Sequence, residues 1–252
     1  MSSVPRGRWN VLDSITFITK GSVPTYIFCD IDVTWAENFR ARLIEKGYRV
    51  TITAILLKAI GIAQRTHPLS RTNVLPWGRR VVLNDIVAGF TVERFIDSDP
   101  FVFFGSIESP DTKPIEEIAS ELQAYAEKDI AELPQLVLEH RFTRMPWFFR
   151  RIILWLALRY PSIRLRYLGA TFGLSSLGSL GVHAVTGPCV ATSTFGVGAI
   201  EQRPVVRNGA VEICPMMTLT LSFDHRVMDG APAARFLEDV RALLEGGLES
   251  YV

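Results

Sequence analysis

The run "LSFDHRVMDGAPAARFL" (221–237) places His225, one of only four histidines in 252 residues, between Asp224 and Arg226, with Asp229 four residues further on. An imidazole is the side chain best matched to proton transfer near neutral pH, so His225 is a candidate general base towards a hydroxyl, thiol or amine. Asp229 can fix the local geometry through an arginine or cap the helix that follows, and Gly230 lets the backbone turn sharply after it. A Ser-His-Asp hydrolase triad fits poorly. The histidine and aspartate are too close in sequence, and no G-x-S-x-G elbow occurs.

The other histidines carry less. His67 precedes Pro68 and reads as a residue at a helix end, His140 as a solvated helix position, and His183 as part of a β connection. No two of them have metal-ligand spacing, and no metal site is expected. Cys29, Cys189 and Cys214 are far apart without a CxxC pair, which argues against disulfides and for small buried hydrophobes in a reducing compartment.

A base at this position needs a strand to carry it and a helix to receive the chain. Residues 216–223 supply the strand: Met217, Leu219, Leu221 and Phe223 fall on one face, Thr218, Thr220 and Ser222 on the other. The helix spans roughly 231–245 and stops at Gly246-Gly247. Upstream, Asn208-Gly209 between β-branched arms predicts a hairpin. "PTYIFCDIDVT" (24–34) alternates as a strand, and a helix follows from Thr34, with the capping-box spacing of "TWAE" at its start and Gly47 at its end. A buried helix is expected at 53–65, strands at 80–92 and 101–107, and a helix from Pro114 to about 132. From about 168 the pattern is β. Helices crowd the first half and strands the second, which predicts an α/β fold, a two-layer sandwich with a mixed β-sheet.

Length and composition set the frame. The chain suits one large domain or two small ones, 48% of it is hydrophobic, and its net charge of +1 gives no general pull towards nucleic acid. "MSSVPRGRWN" lacks the apolar core of a secretory signal, so a soluble cytoplasmic protein is expected. "PWFFRRIILWLALRYP" (146–161) is apolar, basic and aromatic. Its uncharged run is far short of the roughly 20 residues that span a bilayer. It reads as a helix packed on the sheet or on another subunit, or as a membrane-surface contact.

"DHRVMDGAPAARFL" resembles the H-x-x-x-D-G signature of the chloramphenicol acetyltransferase superfamily. It is closer still to the catalytic domains of the dihydrolipoyl acyltransferases of 2-oxoacid dehydrogenase complexes. "ATFGLSSLGSLGV" (170–182), "GVGAIEQRPVVRNG" and "VTITAILLKAIGIAQRTHPL" are similar to further stretches of that family, so the likeness spans about 20–246 and is weakest at about 95–165. The resemblance implies a chloramphenicol acetyltransferase-like fold and a homotrimer with active sites between subunits. It implies an acyl-coenzyme A co-substrate, His225 as base, Ser175 of a neighbouring subunit as oxyanion donor, and Asp229 holding the site's shape. Ser176 and Ser179 read as turn residues beside Ser175. Thr194, in "ATSTFG", lies near a threonine that helps orient the intermediate and is the candidate coenzyme-side contact.

The sequence also departs from the family. No lipoyl or subunit-binding domain is expected, and residues 1–252 read as a single acyltransferase catalytic domain without covalently bound lipoate. "FTVERFIDSDPFVFFGSI" replaces the family's "GLivPVI" stretch, and "LLEGGLESYV" replaces its usual ending. The expected activity is acyl transfer from coenzyme A to a small-molecule hydroxyl, amine or thiol. The alternatives are transfer to lipoyl domains supplied in trans and a non-catalytic assembly or membrane-surface protein.

Overall fold

Alternation of apolar and hydroxyl side chains makes β8 (Ala210–Asp224) a strand with one oily and one polar face. It lies second in a six-stranded sheet of order β1-β8-β7-β6-β4-β5. The strands are β1 (Pro24–Asp32), β4 (Val87–Ile96), β5 (Asp99–Glu108), β6 (Phe172–Ser176) and β7 (Ser193–Arg207), with β2 (Thr72–Val74) and β3 (Arg80–Val82) forming a separate pair. The β6 pairings with β4 and β7 are parallel and the others antiparallel, so the sheet is mixed. The structure, a computed structural model, describes residues 9–19, 21–75, 78–96, 99–129, 132–160 and 170–251. The N-terminal stretch 1–8, residues 130 and 131 of the expected 114–132 helix, Pro161 of the 146–161 segment and the start of the β-rich half at 168–169 lie outside the described residues.

The oily face of the sheet is covered by helices. Met217, Leu219, Leu221 and Phe223 pack with Phe172 and Leu174 of β6 and Phe195 and Val197 of β7. Over them lie α3 (Ile52–Thr66) and α7 (Gly230–Leu244), the latter burying Ala233, Phe236, Leu237, Val240 and Leu244. Thr51 caps α3 by accepting from the Ala54 amide at 3.3 Å. His67 ends that helix and is tied to α7: its Nε2 lies 2.6 Å from Asp239 Oδ2, and its ring packs on Phe236. Cys189 and Cys214 are buried, whereas Cys29 is only half-buried.

Several expected elements differ. The 80–92 strand is two strands, broken at Asn84-Asp85, and its first part joins β2 outside the main sheet. The helix from Pro114 ends at Glu127 (α4, Ile115–Glu127), where Arg94 donates to the carbonyls of Tyr125 and Lys128 at 2.7 and 2.8 Å and stops it. The capping box at Thr34 does not form. Val33 is the cap residue of α2 (Thr34–Glu45), and the Asp32 carboxylate accepts from the Thr34 amide and hydroxyl instead. Helix α1 (Trp9–Ile18) is not among the expected elements, α5 (Pro134–Arg144) contains the expected helix position His140, and α6 (Trp147–Arg159) packs beside α1.

Candidate functional site

His225 is the first residue after β8, where the strand ends at Asp224. Its amide donates to the Val23 carbonyl at 2.9 Å, anchoring the turn to the chain that enters β1. Asp224, 6% exposed, accepts from the Val23 and Arg226 amides and pairs with the Arg226 guanidinium. Burial pushes the Asp224 carboxyl up, but the hydrogen bonds from Arg226 and Val23 outweigh it and hold the group below its ordinary range. The turn is therefore braced from beneath while the imidazole stays 45% exposed above it.

Asp229 occupies the N-cap position of α7, yet its side chain makes no cap hydrogen bond. One carboxylate oxygen lies 3.4 Å from His225 Nδ1 instead. That contact favours the tautomer with a proton on Nδ1, which leaves the Nε2 lone pair able to accept a proton. The two sequence candidates are thus brought together.

Ser175 is not brought to them within one chain. In β6 it pairs with Gly196, which pairs with Thr220, five residues before His225. Two strand spacings across and about five residues along put the two side chains roughly 15–20 Å apart. Ser175 faces away from the helices, on the polar face of the sheet. Ser176 points the other way, into a cleft of about 270 Å³ lined also by Thr51, Thr53, Phe90, Leu122 and Leu174. This cleft opens where β4 and β6 part after the Phe90–Leu174 pair, and nothing in the linear sequence announces it.

Thr194 lies on the same polar face as Ser175, two residues nearer the histidine end, directly opposite Ser222. Both hydroxyls are buried, and neither has a hydrogen-bond partner. Orphaned hydroxyls of this kind are rare in a packed interior. The segment after Ser175 folds back over this face: Ala199 donates to Val182 at 2.7 Å, and Thr220 donates to Val185. A Cβ on Gly196 would come within 1.9 Å of the Val185 carbonyl oxygen, so glycine permits that close approach. Further along, Arg203 joins Asp30, Glu201 and His183. The sequence does not announce this group, because it joins Glu201 and Arg203 of β7 to Asp30 of β1 and to His183 in the connection between β6 and β7. Among the described residues no group of three or more His, Cys, Asp or Glu can hold a metal ion.

Comparisons with known proteins converge on one group. Residues 165–250 match the family described as 2-oxoacid dehydrogenases acyltransferase (catalytic domain). The dihydrolipoyllysine-residue acetyltransferase component of the Azotobacter vinelandii pyruvate dehydrogenase complex is 30% identical over 232 residues, covering 86% of this chain and 31% of that protein. The chain spans less than half the length of the curated relatives it matches. A solved Azotobacter vinelandii dihydrolipoamide acetyltransferase, crystallised to probe a serine, a histidine and an asparagine in its mechanism, superposes with TM-score 0.75 at 24% identity, covering 100% of this chain and 94% of that one. Chloramphenicol acetyltransferase superposes with TM-score 0.56 at 14% identity, covering 96% and 99%. Residues 165–250 thus match the 2-oxoacid dehydrogenase acyltransferase catalytic-domain family, and the chain carries the chloramphenicol acetyltransferase-like fold.

Proposed function

We propose that residues 1–252 form one acyltransferase catalytic unit that moves an acyl group between coenzyme A and a dihydrolipoyl thiol. The observation that carries this reading is the braced turn at the end of β8. There a half-exposed His225 faces the uncapped Asp229 carboxylate inside the segment that matches the acyltransferase family. In this reading His225 Nε2 takes the proton of the attacking thiol. The thiolate adds to the thioester carbonyl, and the carbon–sulfur bond to the departing thiol breaks as the imidazolium returns the proton to it. The Ser175 hydroxyl of a neighbouring subunit donates to the oxyanion. Thr194 offers a second hydroxyl on the same face.

Two considerations support the assignment. The distance between Ser175 and His225 within one chain requires a second copy to complete the site, as in a homotrimer with sites at its seams. In the Azotobacter enzyme the asparagine follows the histidine by four residues, the spacing of Asp229 after His225. A dihydrolipoyl acceptor therefore takes precedence over the small-molecule acceptor expected from the sequence.

The test is incubation of the purified chain with a reduced free lipoyl domain and acetyl- or branched acyl-coenzyme A, followed by mass spectrometry of the domain. A mass increase of one acyl group is expected. Transfer to small thiols, alcohols or amines but never to the lipoyl domain restores the small-molecule reading. Absence of transfer to every acceptor removes the enzymatic one.

A further inference from the structure

Helix α6 is built inside out. A surface helix ordinarily buries its apolar stripe and shows its charges to water. Here the inward positions are Arg150, Leu154 and Ala157, at 5%, 2% and 1% exposure, while Phe148, Ile152 and Trp155 are 44%, 51% and 58% exposed. These three fall at i, i+4 and i+7, one continuous outward stripe, and Trp147 extends it at the N-terminal end. A buried ion pair holds the helix in this rotation. Arg150 Nε lies 2.9 Å from Asp13 Oδ2 of α1, and Nη1 donates to the carbonyls of Thr143 and Met145. Rolling the aromatics inward would expose Leu154 and strand Asp13, which costs several kcal/mol for an unpaired buried charge.

Along the helix and its approach the charge is of one sign, with Asp13 of α1 lying 3.8 Å from Arg151 on the inner side. From His140 to Tyr160 the sequence contains no Asp or Glu. Arg141, Arg144, Arg151 and Arg159 are exposed, and the Arg151 guanidinium sits 5.1 Å over the Trp147 ring. A contiguous aromatic and aliphatic patch of this kind marks an interaction surface, and its arginine rim selects a negatively charged partner. Trp and Phe at the level of lipid headgroups, with arginines reaching for phosphates, is the composition of a helix lying in a membrane interface. At 13 residues α6 is about 20 Å long. No helix among the described residues is long and apolar enough to cross a membrane. Face-to-face docking of a second copy would set arginine against arginine with no carboxylate between them.

We propose that the outward face of α6 docks on an anionic lipid surface, lying in the plane of the interface and tethering the catalytic unit there. The proposal does not depend on the acyltransferase reading.

The test uses the whole chain with sedimented vesicles of pure phosphatidylcholine or containing about 30 mol% phosphatidylglycerol, together with tryptophan emission. Binding to the anionic vesicles at least about tenfold stronger than to the neutral ones is expected, weakened by salt and accompanied by a blue shift. The double variant Ile152→Glu/Trp155→Glu, checked for its fold by circular dichroism, should lose binding about tenfold or more. Arg144→Glu/Arg159→Glu should lose the preference for anionic lipid, and it serves as the second arm if the first variant misfolds. Failure to bind anionic vesicles, or variants that bind as the parent does, overturns the proposal. So does a parent that ignores vesicles while Ile152→Glu/Trp155→Glu lowers its mass in solution, because the face is then a contact between copies.

Discussion

Arg226 holds the Asp224 carboxylate from two residues away, its Nε 3.0 Å from each oxygen and its Nη2 2.5 Å from Oδ2. The pair closes the turn that presents His225. Its remaining acceptor capacity goes to the Val23 and Arg226 amides, so the sheet edge, the turn and the helix entrance share one anchor.

That anchor has a pH signature. Because the folded-state pKa of Asp224 is lowered from 3.8, its stabilisation is complete above the ordinary carboxylate range. It is lost as pH falls through the lowered value. Asp224→Asn should cost roughly 1–3 kcal/mol at neutral pH. The gap to the parent should stay level down to about pH 5 and close below about pH 4. Urea unfolding across that range at fixed protomer concentration measures it.

His225→Ala should reduce acyl transfer by at least about 100-fold. The fold should persist, because the backbone bond from residue 225 to Val23 does not involve the ring. Activity set against far-ultraviolet circular dichroism separates these effects.

The separation of Ser175 from His225 predicts complementation between inactive chains. Ser175→Ala lowers kcat about 10- to 100-fold with little change in KM. Ser176→Ala, on the opposite face of β6, should leave kcat within about twofold. When His225→Ala and Ser175→Ala chains are unfolded and reassembled together in equal amounts, about a quarter of the seams unite an intact histidine with an intact serine. Activity should reappear in that proportion. If the mixture stays as inactive as its parts, the shared site is wrong.

Gly196 offers a structural test of the cover over the polar face. Gly196→Ala drives a methyl into the Val185 carbonyl, so the 182–185 segment must move, at a cost of about 1–3 kcal/mol. Ser175 pairs with Gly196 across β6 and β7, so kcat should fall with the melting temperature.

Much of the molecule was legible in the residues themselves. The alternation at 216–223 fixed which face of β8 meets the helices, because side chains in a strand alternate by geometry alone. The motif singled out His225 and Asp229, which the structure places side by side, because a turn of four residues can bring their side chains together locally. The capping box at Thr34 failed because Asp32, two residues earlier, takes the amide that Glu37 would have accepted from and engages the Thr34 hydroxyl as a donor. The break at Asn84-Asp85 was lost in a longer β pattern. Tertiary structure alone decided that Ser176, read as a turn residue, ends strand β6 beside Ser175 at a place where β4 and β6 diverge. It alone paired Arg150 with Asp13, 137 residues apart, and so turned the aromatics of α6 to the outside. Local periodicity reports which residues share a face. Which face of α6 turns inward is settled by a partner distant in the chain, and no window of sequence contains it.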